Sequence, residues 1–273
     1  AFQYNNDHYP DVDDTAVIIA AMHRAGAQRY KPSIERGAQW LVAMQSASGG
    51  WGAFEPENEH FYLNSIPFAD HGALLDPPTT DVTARCVSAL AQLQDERFAD
   101  AVERGVNFIL REQEPDGSWF GRWGANYVYG TWSALCALNA AGFNPTRAEV
   151  QRGVEWLRAQ QRDDGGWGEG LETYQTERRG YATAATPSQT AWALMGLMAG
   201  GAVDDPAAER GMAYLQNTPV DGARWSEDLY TGTGFPRVFY LKYHGYSAYF
   251  PLWAMARYKN LMRSNERTVS WGL

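Results

Sequence analysis

The chain has 273 residues, of which 45% are hydrophobic and 14% aromatic. That fits one large or two small globular domains and excludes a disordered tail. With 23 basic against 32 acidic residues the net charge is −9, so a nucleic-acid partner is disfavoured and an anionic surface repels the chain on average. The longest nearly unbroken apolar run, Ala191 to Val203, has 13 residues and three glycines, short of the roughly 20 that span a bilayer. Cys86 and Cys136 lie in apolar stretches with no second ligand at metal spacing, which predicts reduced core thiols and a cytoplasmic setting. A start at Ala1-Phe2, without Met or a leader, reads as a segment of something longer.

In chain order, helical elements of two kinds alternate. Thr15 to Ala25, Val82 to Leu93, Tyr129 to Ala141, Thr190 to Ala199 and Ser247 to Tyr258 are apolar and almost free of charge, as buried inner helices are. Asp11, Thr80-Asp81 and Pro187-Ser188 supply start signals for three of them. Between them runs a repeat: Arg-Gly, an aromatic and an aliphatic residue three and four positions after the Gly, Gln, then Gly-x-Trp. Its copies are Arg36 to Trp51, Arg104 to Trp119 and Arg152 to Trp167, with a decayed fourth at Arg210 to Trp225. These segments are amphipathic and suit an outer layer, and turns such as Asp116-Gly117 and Asp164-Gly165 end them. The Gln and Trp read as structural, Gln bonding backbone groups where the chain turns and Trp packing over the turn. The pattern predicts an all-α, double-layered α/α barrel. It supplies five inner and four outer helices, short of a closed ring of six hairpins, so a helix or more is missing on the N-terminal side.

Asp11-Val12-Asp13-Asp14-Thr15-Ala16 puts three carboxylates at the start of an apolar helix. One reading is capping, with Asp11 accepting backbone N–H groups and the others complementing the helix dipole. The other is acid chemistry: clustered carboxylates facing an apolar cavity cannot all ionise, so one stays protonated. A phosphatase nucleophile loop would follow a buried strand, whereas Asp7-His8-Tyr9-Pro10 precedes this one, and a calcium loop would need a glycine turn that Thr15-Ala16 does not supply. If Phe235 to Tyr246 is helical, Phe235, Phe239, Tyr243 and Tyr246 fall on an arc of about 80°, either as core aromatics or as a wall for a carbocation. An acid that protonates an alkene and an aromatic wall that receives the cation form a coherent pair. No nucleotide or metal motif is present, so neither a metal nor another cofactor is expected.

These residues resemble the bacterial squalene–hopene cyclases, triterpene cyclases with tandem QW repeats and a DxDDTA acid motif. The resemblance runs from Ala1 to about Lys259 and includes Asp116 to Gly124, Thr186 to Trp192 and Thr231 to Pro236. It implies cyclisation of squalene to hopene, with some hopanol, by an enzyme bound monotopically at the cytoplasmic face of the membrane and compatible with a homodimer. It makes Asp13 the proton donor, Asp11 and Asp14 its partners, Asp81 a further carboxylate behind the acid, and Phe2, Trp123, Phe235, Phe239, Tyr243 and Tyr246 the cavity wall.

Two departures stand near the acid. Phe54 replaces a tyrosine, and Arg85 replaces a histidine that tunes the acid, a fixed cation that should favour ionised aspartates. The resemblance makes residues 1–273 the C-terminal catalytic barrel portion, roughly two-fifths of such an enzyme, without the N-terminal half and second barrel. Three other readings predict different results. A cyclase of a C35 tetraprenyl substrate predicts other products, a six-hairpin glycosidase predicts sugar turnover, and a non-catalytic helical scaffold predicts no effect of replacing Asp13.

Overall fold

A segment apolar on every side is stable only where other helices surround it, and five such segments occupy the inner layer here. The computed structural model describes residues 8–58, 60–67, 75–179, 181–264, 266 and 268–272; Phe2 lies outside them. Helix α1 (Val12–Ala43) is two helices run together: the backbone leaves helical geometry at Gly26 (φ 158°, ψ 82°), separating an inner arm from an outer one. Inner α2 (Thr80–Gln92), α4 (Tyr127–Ala140), α6 (Pro187–Ala199) and α8 (Tyr246–Arg263) alternate with outer α3 (Ala99–Arg111), α5 (Ala148–Gln160) and α7 (Pro206–Asn217). All of α6 and nearly all of α4 is buried, whereas α3, α5 and α7 bury one stripe each. Among the described residues the five-plus-four organisation read from the sequence is therefore the observed one. No helix among the described residues is long and apolar enough to cross a membrane.

The inner helices pack side by side in the order α1, α2, α4, α6, α8. Helices α1 and α8 terminate the row. Val17 and Ile18 on α1, and Tyr249 (71% exposed) and Leu252 (62%) on α8, leave apolar surface uncovered there.

Each repeat turn is built alike. The indole N–H groups of Trp51, Trp119, Trp167 and Trp225 donate to the carbonyl ten residues earlier, Leu41, Ile109, Leu157 and Leu215, at 2.7–2.8 Å. In the first three turns the Trp backbone N–H donates to a threonine hydroxyl of the following inner helix: Thr83, Thr131 and Thr190. The side-chain amides of Gln45, Gln113 and Gln161 each bridge two carbonyls, one in their own turn and one in the first turns of the next outer helix, Ala101, Glu149 and Ala207. The Gly of the next Arg-Gly pair then receives the preceding indole. A Cβ on Gly105 would lie 2.5 Å from Val87 and 2.8 Å from the Trp51 ring. Gly105→Ala gains about 1 kcal/mol of helix propensity but overpacks a rigid contact, so a net loss of about 1–2 kcal/mol is expected. Urea denaturation checks it, and a stabilised variant would refute this packing account.

The helix read over Phe235 to Tyr246 does not form. Strand β3 (Gly232–Phe235) pairs antiparallel with β4 (Phe239–Leu241), with a bulge between Thr233 and Phe235, and α8 begins only at Tyr246. Gly232, Gly234 and Pro236 are poor helix formers, and Arg237 turns the chain at φ 72°. A second small hairpin, β1 (Val220–Asp221) with β2 (Arg224–Trp225), fills the longer fourth turn.

Candidate active site

Asp11 is the N-cap of α1: its Oδ1 accepts from the Asp14 N–H at 2.9 Å, and its carbonyl accepts from the Thr15 hydroxyl at 2.6 Å. The Val12 N–H donates to the Ala53 carbonyl at 2.8 Å, which ties the helix start to the first repeat turn. Capping and clustering thus coexist, with the three carboxylates in different settings. Asp11 is buried and Asp14 is exposed, while Asp13, with its side chain 36% exposed, faces Arg85 of α2 with Nε 3.5 Å from its Oδ1.

Burial pushes the Asp13 carboxyl up to about 6, against the pull of Arg85 and with the charges of Asp11, Asp81 and Asp14 adding to the rise. The fixed cation was expected to favour ionised aspartates. At Asp13 desolvation outweighs it. Burial likewise raises Asp11, opposed by the hydrogen bond from Asp14. Burial acts to lower the Arg85 guanidinium, but Tyr129 and Asp13 outweigh it and the net shift is upward. Arg85 also reaches the Tyr129 hydroxyl at 3.5 Å and lies over the Trp132 ring, 4.9 Å from its centroid.

Asp81, at the start of α2, is buried with both oxygens engaged. Oδ1 accepts from the Thr79 hydroxyl (2.6 Å) and the Val82 N–H, and Oδ2 accepts from the backbone N–H groups of Arg122 and Trp123 at 3.0 and 2.8 Å. It is close enough to raise Asp13, yet its visible work is to hold the chain at Trp123. The Trp123 ring meets Phe54 edge-on at 6.2 Å, and Phe54 meets Tyr9 at 6.5 Å. The Phe54 N–H is in turn fixed by Asp76 Oδ2 at 2.6 Å.

The other flank is a run of rings. Tyr243 stacks on Tyr246 at 4.7 Å, and Tyr246 meets Trp192 at 5.7 Å. Trp192 meets Tyr129 at 4.9 Å and stacks on Trp132 at 5.8 Å. The run ends under Arg85, so aromatic wall and acid are joined through one guanidinium. Phe235 and Phe239 form a separate edge-on pair at 5.4 Å across the β3–β4 hairpin, and Phe239 and Tyr243 are exposed. The four aromatics read from spacing are two pairs rather than one stripe.

Sequence reasoning missed Tyr129, Trp132 and Trp192, which sit in uniformly apolar segments. It also missed two glutamates, Glu169 buried and Glu227 half-buried. Glu169 accepts from the N–H groups of Asn126, Tyr127 and Val128 at the start of α4, and Glu227 accepts from the backbone N–H and the side-chain hydroxyl of Ser188 at the start of α6. Their signal is position: each stands two residues after a repeat Trp, where the first two turns have Ala53 and Gly121. Helices α4 and α6 thus carry structural carboxylates at their starts, whereas α1 and α2 carry Asp11, Asp13 and Asp81. Among the described residues no group of three or more His, Cys, Asp or Glu is arranged to hold a metal ion.

Over residues 1–260 the sequence matches the family model for the squalene-hopene cyclase C-terminal domain. The chain belongs to the squalene–hopene cyclase family. Among curated relatives of this family, a probable squalene–hopene cyclase of Sinorhizobium fredii is 56% identical over 270 residues, covering 97% of this chain and 42% of that protein. The squalene–hopene cyclase of Zymomonas mobilis is 53% identical, covering all of this chain and 42% of that protein. The chain thus spans about two-fifths of the length of these curated relatives. Among solved structures, ent-copalyl diphosphate synthase from Streptomyces platensis superposes with a TM-score of 0.60 at 23% identity, covering 92% of this chain and 41% of that one. That likeness establishes the fold, a double-layered helical barrel.

Proposed function

We propose that residues 1–273 are the C-terminal catalytic barrel portion of a cyclase that converts squalene to hopene, with hopanol where water captures the last cation. The observation that carries this reading is Asp13: a carboxyl raised to about 6 beside Arg85, at the mouth of an aromatic wall. The protonated Asp13 gives its hydrogen to one carbon of the terminal alkene. The alkene electron pair forms the new C–H bond, the neighbouring carbon becomes the cation, and each following double bond closes a ring onto it. Loss of a proton, or addition of water followed by loss of one, ends the sequence.

Asp13 is left as a carboxylate with the Arg85 guanidinium 3.5 Å away to neutralise it. Asp11 and Asp14 order the helix start beneath it, and Asp81 holds the peptide at Trp123. Phe54, Trp123, Phe235, Phe239, Tyr243 and Tyr246, with Phe2, supply ring faces that attract cations without reacting with them. Further helices cover Val17, Ile18, Tyr249 and Leu252 in the complete enzyme. Monotopic attachment at the cytoplasmic face of the membrane belongs to the same reading, because the hydrocarbon substrate dissolves in the bilayer; a homodimer is compatible with it.

Incubation of the complete protein with squalene in detergent, followed by gas chromatography–mass spectrometry, tests the reading. Pentacyclic products that vanish in Asp13→Asn support it. Unchanged squalene in the wild type overturns it.

A further inference from the structure

Residues 121–124 belong to no helix, yet their backbone is fastened on every side. The Gly121 N–H donates to Asn126 Oδ1, and the N–H groups of Arg122 and Trp123 donate to Asp81 Oδ2. The Arg122 carbonyl accepts from the Thr233 hydroxyl at 2.6 Å, and the Trp123 carbonyl from the Thr233 N–H at 3.2 Å. The Tyr174 hydroxyl lies 2.8 Å from both the Gly121 and Gly124 carbonyls and shares its single hydrogen between them. Thr233 and Tyr174 come from 111 and 50 residues further along the chain, and both are buried.

Tyr174 is itself held firmly. Its ring lies between Phe120 (5.7 Å) and Tyr240 (6.2 Å). The segment that carries it is latched by Arg179, which donates to Glu114 and Asp116 at 2.9 Å and to Ser118 at 3.0 Å, and whose guanidinium lies over the Tyr127 ring. The Trp123 indole, in contrast, has a buried N–H without a hydrogen-bond partner among the described residues. An indole with no polar anchor takes its orientation from its backbone and the rings around it. Here that backbone is held from the N-terminal side by Asp81 and, from further along the chain, by Thr233 and Tyr174.

We infer that Tyr174 and Thr233 are positioning residues that fix the Trp123 ring relative to the acid end of the inner helices. Their consequence for cyclisation rests on the function proposed above; the placement itself does not. A cation forming near a ring gains from it only at a set distance, so a ring free to shift lets the cation lose a proton before the next closure.

Fluorine-19 NMR of the full chain labelled with 5-fluorotryptophan, with the Trp123 resonance assigned by its loss in Trp123→Phe, tests the placement. Tyr174→Phe and Thr233→Val are expected to move or split that resonance and leave those of Trp51 and Trp167 in place, with Thr233→Ser restoring the wild-type position. A Trp123 resonance unmoved in folded Tyr174→Phe overturns the inference; if that variant does not fold, the Thr233→Val and Thr233→Ser pair decides.

In the complete protein with squalene, Tyr174→Phe is expected to raise the ratio of partly cyclised to pentacyclic product about fivefold, the size of one lost hydrogen bond. It should add nothing in a Trp123→Ala background. A uniform loss of all products would point to a merely structural role and overturn the inference. A wild type that leaves squalene unchanged, with the Trp123 resonance still moved by Tyr174→Phe, would overturn the proposed function and uphold the placement.

Discussion

Asp13→Asn is expected to abolish cyclisation and, above pH 6, to make the protein more stable. An amide keeps the shape but carries no transferable proton, and with Asp13 the proposed donor its loss costs about a thousandfold in rate. The stability gain follows from linkage. Asp13 has a folded value of about 6 against 3.8 unfolded, so between those values the native state binds more protons than the unfolded one. Stability is then full below about pH 4 and is lost as pH rises through 6. The asparagine variant does not titrate and escapes that loss. Because the Asp13 side chain is 36% exposed, solvent screens much of the effect, and about 1 kcal/mol is the reasonable size. Thermal denaturation at pH 3.5 and 7.5 checks it: wild type and variant should melt together at the lower pH, with the variant higher at the upper. A variant less stable at pH 7.5 would mean that the carboxylate is a net stabilising partner of Arg85 rather than a strained acid.

The same contrast between repeated and singular features governs how much could be read from the sequence. Gln113 and Trp119 were legible because the unit recurs, the Gln three times and the Trp four, and an identical spacing implies an identical geometry; the indole and amide bonds observed are those a turn between helices needs. The inner helices were legible because α4 and α6 have no polar face to confuse with an outer helix. Phe235, Phe239 and Tyr243 misled because a spacing of four suits a helix face as well as a bulged hairpin followed by a turn, where Phe235 and Phe239 meet across strands. The flanking Gly232, Gly234 and Pro236 were the signal against the helix.

Partnerships across helices were the least legible part. Arg85 stands one turn beyond Asp81 in the chain, but its salt-bridge partner is Asp13, and only the packing of α1 on α2 brings them together. Tyr129 and Trp132 likewise look like ordinary core until α2 places a guanidinium between them. Glu169 acts on α4 from more than 40 residues downstream, a relation that no local pattern in a single sequence encodes.

Arg85 sets how Asp13, the proposed acid, responds to pH, and the two consequences of removing Arg85 oppose each other. With Asp13 titrating at about 6, the protonated fraction falls close to tenfold per pH unit above that value, so the wild-type rate should show a limb that descends as pH rises, with its midpoint near 6. Arg85 lowers the Asp13 value against the larger effect of burial. In Arg85→Gln the carboxyl therefore holds its proton to higher pH, and the limb moves up. A carboxyl that holds its proton more tightly is also a weaker donor to an alkene, and the carboxylate left after transfer loses its neutralising neighbour, so the low-pH plateau falls by about tenfold or more. The two profiles should converge as pH rises, a pattern that neither misfolding nor a lost substrate contact produces. Initial rates of squalene conversion by the complete protein from pH 4.5 to 8.5, in wild type and Arg85→Gln, measure both effects in one experiment. A lowered plateau with an unmoved limb would reduce Arg85 to a packing partner of Trp132, and a limb that moves down would reverse the electrostatic assignment.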